Sequence, residues 1–172
     1  MPAQSGLTLD LPDAGATAVL GAALARAFPG ASARCVVVHL RGELGAGKTS
    51  CVRGLLRALG VAAAVRSPTY TLVESYSLPP LTCVHVDLYR LRSPGELEDI
   101  GLRDYLQPGY LLLVEWPEKG GTSSPPADLV LSLDYVGAGR RARVLSVGER
   151  GRFWLEILSR DTSLIPYLSN LT

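Results

Sequence analysis

Asparagine and lysine are nearly missing from this sequence. Asn170 is the one asparagine, and of 17 basic residues only Lys48 and Lys119 are lysine. A guanine-reading N-K-x-D segment is therefore excluded, because no asparagine stands before a lysine anywhere in the chain. Cysteine is scarce as well. Cys35, Cys51 and Cys83 form an odd set without C-x-x-C spacing, which excludes the usual zinc and dithiol-redox patterns. All three lie in apolar stretches and read as buried free thiols, the usage expected in the cytoplasm. No apolar run approaches the roughly 18 residues that would cross a bilayer. Met1–Pro12 has neither the basic start nor the apolar stretch of a secretory leader. A net charge of +1 excludes a strong nonspecific grip on nucleic acid or on anionic membrane. Any role linked to RNA then needs a partner to supply the affinity.

What is present suits one domain, 1–172, of ordinary size with a substantial core. Glycine and proline punctuate the elements. Leu7–Leu11 is a short strand, and Asp13 offers an N-cap for a helix to about Phe28, ended by Pro29-Gly30. Cys35–Leu40 (Cys-Val-Val-Val-His-Leu) has the continuous apolar character of a strand buried on both faces. Thr49–Leu59 has helical spacing, with Val52, Leu55, Leu56 and Leu59 on one face and Gly60 as the stop. Thr69–Ser77 and Leu81–Asp87 read as strands joined across Pro79-Pro80 in a hairpin, which makes the sheet mixed. Ser93-Pro94-Gly95-Glu96 has the form of a capping box opening a short helix near Glu96–Ile100.

Leu111–Trp116 is a second buried strand, and Lys119–Pro126 has the Gly/Ser/Pro composition of a mobile loop. Leu129–Tyr135 and Arg141–Val147 form a final hairpin around Gly137–Gly139, followed by a helix from about Gly151 to Ser159. The core spans about 7–160, and the tail 161–172 carries no assignable pattern. Strands alternating with helices indicate an α/β architecture built on a central sheet.

Gly42-Glu43-Leu44-Gly45-Ala46-Gly47-Lys48-Thr49 matches the phosphate-binding pattern G-x-x-x-x-G-K-[ST] in full. Glycines let the backbone curl so that successive N–H groups point inward at phosphate oxygens. A helix starting near Lys48 adds its positive end to the same spot. Lys48 supplies a compact charge for the β- and γ-phosphates, and the Thr49 hydroxyl can ligate Mg²⁺. Ordinary residue frequencies give such a match by accident in roughly one chain of this length in 200. Its position between a buried strand and an amphipathic helix makes accident rarer still.

A P-loop needs a carboxylate for the metal or its water, and something to orient the attacking water. Asp87 and Glu115 each close an apolar strand, the place where α/β sheets bind ligands. A strand end meeting solvent has the same look, so either residue alone is ambiguous. Ser67-Pro68-Thr69-Tyr70-Thr71 is a hydroxyl-rich turn, either structural or a switch loop sensing the γ-phosphate. His39 and His85 lie in or beside apolar strands as satisfied core histidines, with no metal-type spacing. Arg140, Arg141, Arg143, Arg150 and Arg152 form a loose basic region, by default a solvated face and otherwise a docking surface.

Four segments together resemble the bacterial TsaE (YjeE-type) ATPase family. They are GELGAGKTSCVRG (Gly42–Gly54), SPTYTLVESY (Ser67–Tyr76), HVDLYRL (His85–Leu91) running on to ELEDIGLRDYL (Glu96–Leu106), and LVEWPEK (Leu113–Lys119). They stand in the family's order over about Leu7–Gly148. The resemblance implies a three-layer P-loop NTPase-like sandwich with a mixed, mainly parallel central sheet flanked by helices. It implies that ATP is held by Gly42, Leu44, Gly45, Ala46, Gly47, Lys48, Thr49 and Ser50, with Trp116 beside the nucleotide. Thr49 and Glu115 would ligate Mg²⁺. Asp87 would be the Walker B-like acid acting on the hydrolytic water, with Lys48 and Thr69, in the first switch region, as further catalytic residues.

The implied role is ATP hydrolysis, weak in the chain alone, that drives rounds of threonylcarbamoyladenosine formation in tRNA. TsaD and TsaB homologues are the implied partners, and tRNA is reached through them. The family commonly has aspartate where Glu43 stands and threonine where Ser50 stands; neither change removes a named ligand. From the residues alone, a small-molecule kinase using Arg90, Arg92 or Arg103 in a lid, or a nucleotide-binding scaffold without hydrolysis, remains open.

Overall fold

Residues 6–169 are described by a computed structural model. The apolar run Cys35–Leu40 supplies the middle strand of the sheet, as its pattern requires. Seven strands pair in the order β1-β7-β6-β2-β5-β4-β3. These are β1 (Gly6–Leu11), β2 (Val36–Arg41), β3 (Val73–Leu78), β4 (Leu81–Asp87), β5 (Tyr110–Glu115), β6 (Leu129–Val136) and β7 (Gly139–Ser146). β6, β2, β5 and β4 run parallel, while β3 and β7 run against their neighbours and β1 pairs antiparallel to β7. The sheet is therefore mixed with a parallel centre, as the sequence led one to expect. In β2, Val36, Val38 and Leu40 enter one core and Val37 enters the other.

The larger core lies under three helices: α1 (Ala14–Ala27), α2 (Lys48–Leu59) and α4 (Gly148–Leu158). Asp13 caps α1, its side chain accepting from Ala16 N–H at 2.8 Å. α1 and α2 approach backbone to backbone. A Cβ on Gly21 would collide with the Cys51 carbonyl, and one on Gly54 with the Ala18 carbonyl. Two glycines that look like helix weaknesses in sequence are thus what allows α2 to lie so close. Trp154 of α4 is fully buried and donates from Nε1 to Leu24 O at 3.0 Å. The opposite face is covered more thinly, by the single-turn α3 (Glu96–Asp99) and a 3-10 turn at Leu102–Tyr105. The three layers are present but unequal. No helix among the described residues is long and apolar enough to cross a membrane.

Several local expectations fail for identifiable reasons. The strand expected over Thr69–Ser77 begins only at Val73. Leu72 has φ of 63°, its N–H returns to Pro68 O at 2.8 Å, and a closed turn replaces the pleat. No side chain caps α3, whereas a capping box would have used Ser93; the Glu96 carboxylate instead accepts from Arg92 N–H at 3.3 Å. Lys119–Pro126 is not a loose loop. Pro117–Ser123 coils in 3-10 turns, and Ser124 Oγ donates to Pro117 O at 2.5 Å. α4 starts at Gly148, three residues before Gly151, because Gly148 makes the turn at φ of 68°. In the tail, Asp161 caps a 3-10 helix over Thr162–Tyr167, Leu164 is buried, and Ser169 N–H donates to Thr8 O. Residues 170–172 of that tail lie outside the described residues, as do 1–5 of the chain.

Candidate functional site

β2, β5 and β4 are parallel and in register at their C-terminal ends, where Leu40 pairs with Glu115 and Glu115 with Asp87. The sheet therefore delivers the loop after β2, Glu115 and Asp87 to one edge. Gly42, Gly45 and Gly47 take φ of 141°, 77° and 107°, which lets the loop curl before α2. α2 opens at Lys48 with no side-chain cap and no acidic residue in its first turn. Its first N–H groups thus form an anion-binding end of the kind used for phosphates.

Above this edge lies a cleft of about 460 Å³. Leu44, Gly45, Gly47, Lys48, Thr49, Ser50, Thr69, Asp87, Glu115 and Trp116 line it, so ten of the sequence-expected site residues meet in one place. Gly42 and Ala46 belong to the loop that walls it; Ala46 is buried, with its N–H on Glu43 O at 3.1 Å. Lys48 is nearly buried, and Nζ donates to Gly42 O at 2.6 Å and Glu43 O at 2.8 Å. The ammonium also lies 4.2 Å from the Trp116 ring centre. Burial pulls its pKa below the usual lysine value, while Glu115, Asp87 and Glu118 pull the other way. Trp116 follows Glu115 with φ of 56°, a left-handed backbone rare outside glycine, and its ring meets Tyr89 at 5.0 Å. That turn folds the indole back over the cleft.

Both carboxylates are buried and held. Glu115 Oε1 accepts from Thr49 Oγ1 at 2.9 Å and lies 2.8 Å from His85 Nε2. Asp87 Oδ2 accepts from Ser67 Oγ at 2.6 Å, and Oδ1 accepts from Tyr89 N–H at 2.9 Å. Thr69 stands one step back, with Oγ1 at 3.4 Å from both the Ser67 carbonyl and hydroxyl. Thr49 and Glu115 form a hard-oxygen pair at the foot of the loop, and among the described residues the side-chain bonds to Glu115 fall on Oε1, not Oε2. Among the described residues no group of three or more His, Cys, Asp or Glu could hold a metal unaided. That donor set fits Mg²⁺, which is commonly held by one or two protein oxygens together with substrate phosphates and water.

Some contributions are invisible in the motifs. Tyr135 Oη donates to Leu44 O at 2.8 Å, while Arg140 donates to Ala46 O and Gly45 O, each at 3.2 Å. Arg140 also stacks on Tyr135 at 3.9 Å, so the β6–β7 hairpin braces the outside of the loop. The loose basic region is largely paired. Besides Arg140, Arg141 bonds Asp10, Arg143 bonds Asp134, and Arg150 reaches Arg34 O. His39 is satisfied as expected, 2.8 Å from Pro125 O. The three thiols are buried and unpaired, and burial raises Cys35 to about 11 and Cys51 and Cys83 to about 12.

A mixed, parallel-centred sheet with a glycine loop feeding a helix, and acids at the neighbouring strand ends, defines the class of P-loop α/β proteins. The sequence profile described as "Threonylcarbamoyl adenosine biosynthesis protein TsaE" matches residues 11–143. The chain belongs to the TsaE family. It is 42% identical over 119 residues to the tRNA threonylcarbamoyladenosine biosynthesis protein TsaE of Haemophilus influenzae, covering 69% of this chain and 75% of that one. To the protein of the same name from Bacillus subtilis it is 34% identical over 129 residues, 74% of this chain and 80% of the relative. The crystal structure of Bacillus subtilis YdiB superposes with a TM-score of 0.72 at 26% identity, covering 93% of this chain and 98% of that one.

Proposed function

We propose that this chain is a Mg²⁺-dependent ATPase of threonylcarbamoyladenosine biosynthesis in tRNA. In this reading it is slow alone and drives turnover of an assembly with TsaD and TsaB homologues, through which tRNA is reached. The observation that carries the reading is convergence. Lys48, the Thr49–Glu115 pair and Asp87 come from three separate chain segments and line one cleft at the mouth of the glycine loop. The family relationship supplies the pathway.

ATP would lie with its phosphates on the N–H groups of Gly42–Ser50. Lys48 would exchange its two carbonyl partners for β- and γ-phosphate oxygens, a switch from neutral to charged acceptors that favours the bound state. Thr49 and Glu115 would hold Mg²⁺, which would supply positive charge to offset the charge that develops on phosphoryl transfer. Asp87 would orient the attacking water, with Ser67 and Thr69 as hydroxyls on the loop that reports the γ-phosphate. A small cavity of about 130 Å³ between Asp13, Thr17, Ser50, Gly139 and Arg140 adjoins Gly45–Gly47. Of the arginines a kinase lid would use, Arg90 lines the cleft and Arg103 does not. Arg103 is ion-paired to Glu98 on the surface, and Arg90 lies over the exposed Tyr70 ring.

The test is phosphate release by the chain with and without TsaB and TsaD homologues, with no acceptor added. Stimulation on mixing is the expected result. A rate that stays the same on mixing, or that appears only with a small-molecule acceptor, would overturn the assignment.

A further inference from the structure

We propose that His85 is the positioning residue for Glu115, fixing the carboxylate so that Oε2 is presented to a divalent cation in the cleft. The inference rests on the functional reading above and extends it to a residue that the phosphate motif does not contain. His85 lies on β4 two residues before Asp87, so both side chains leave the same face of the sheet. Its ring is fully buried, and Nε2 is 2.8 Å from Glu115 Oε1. Thr49 Oγ1 donates to that same oxygen at 2.9 Å. With two donors on Oε1, rotation of the carboxylate is blocked and Oε2 becomes the oxygen left for a further ligand. Thr49 can keep its proton on Oε1 while a lone pair faces a cation, so the arrangement survives metal binding.

The other ring nitrogen supports this choice. His85 Nδ1 is the one buried side-chain nitrogen or oxygen without a hydrogen-bond partner among the described residues. Facing a carboxylate oxygen, which accepts, Nε2 is the donor of the pair, and Nδ1 makes no bond of its own. Leaving a buried polar atom unpaired costs about 1–3 kcal/mol, which an apolar side chain in this wall would avoid. A histidine is thus explained by what Nε2 does for Glu115, not by packing. Outer-shell donors of this kind typically contribute 10- to 100-fold to metal affinity.

The experiment is titration calorimetry of a nonhydrolysable ATP analogue over a Mg²⁺ series, on wild type, His85→Met and His85→Gln. His85→Met removes the donor at similar volume, whereas glutamine returns an N–H near the Nε2 position. The Mg²⁺ requirement should rise about 10- to 100-fold in His85→Met. It should recover most of the way in His85→Gln, and metal-free affinity should move much less. Nitrogen-15 NMR of wild type is the second readout and does not depend on the variants folding. The chain has two histidines, so His39 is the internal reference. His85 should show the Nε2–H tautomer and shift when Mg²⁺ joins the analogue. An unchanged Mg²⁺ requirement in His85→Met, or a silent His85 signal, would overturn the proposal while leaving the ATPase reading intact. Wild type that fails to bind the analogue with Mg²⁺ would overturn both.

Discussion

The Ser67 hydroxyl donates to Asp87 Oδ2 at 2.6 Å, tying the hydroxyl-rich turn to the acid at the end of β4. The tie is reinforced through the backbone, where Asp87 N–H donates to Leu72 O at 3.0 Å. The turn and the acid therefore form one hydrogen-bonded unit, and a ligand that moves either must move or break the other. In the proposed function such a unit would couple events at a γ-phosphate to the exposed surface around Tyr70, which lies in the same turn.

Asp87→Asn keeps the shape of this unit but removes the charge that would act on the attacking water. ATP affinity is expected to stay near wild type while single-turnover hydrolysis falls by about 100-fold or more, the usual scale for a general base. Undiminished turnover would remove Asp87 from the chemistry.

Gly54→Ala tests how α2 is seated. The added Cβ would meet the Ala18 carbonyl, backbone that cannot swing aside. The expected cost is about 1–3 kcal/mol. For a chain of this size that lowers the melting temperature by about 2–4 °C per kcal/mol. A melting temperature equal to wild type would show that the two helices part freely.

Asp161 sets an acid limit on the C-terminal segment. The Arg26 hydrogen bond, with help from Ser163, holds its pKa down to about 2 from an ordinary 3.8. A depressed carboxylate contributes stability above its unfolded value and loses it as pH falls toward its folded value. The contribution is therefore complete above about pH 5 and lost progressively down to about pH 1. Arg26 is half exposed, so its size is about 1 kcal/mol or less. Asp161→Asn should flatten the stability profile between those limits in acid-unfolding curves, and an unaltered profile would contradict the assignment.

The parts of the site that could be read from sequence are those where chemistry and chain order coincide. The glycine loop is contiguous, and Asp87 and Glu115 mark themselves by ending apolar strands. What was hidden depends on partners far apart in sequence. Ser67 reaches Asp87 across 20 residues, His85 reaches Glu115 across 30, and Tyr135 and Arg140 reach the loop across 91 and 94. Thr69 and Ser67 are indistinguishable as hydroxyls in a turn until the left-handed Leu72 orients the turn and puts Ser67 nearest the acid. In the fold, the parallel centre followed from unbroken apolar runs. The ordered 3-10 turns at Pro117–Ser123 did not, because a Gly/Ser/Pro composition gives no periodic signal and its order comes from burial of Gly120 and the Ser124 bond to Pro117.

The most direct measurement is calorimetric titration of a nonhydrolysable ATP analogue into wild type and Lys48→Ala, with and without Mg²⁺. The expected result is saturable binding by wild type that tightens with Mg²⁺. Lys48→Ala should weaken it about 10- to 150-fold, the equivalent of one charged hydrogen bond at about 1.5–3 kcal/mol. Absence of binding by wild type, or equal affinity in Lys48→Ala, would contradict the account.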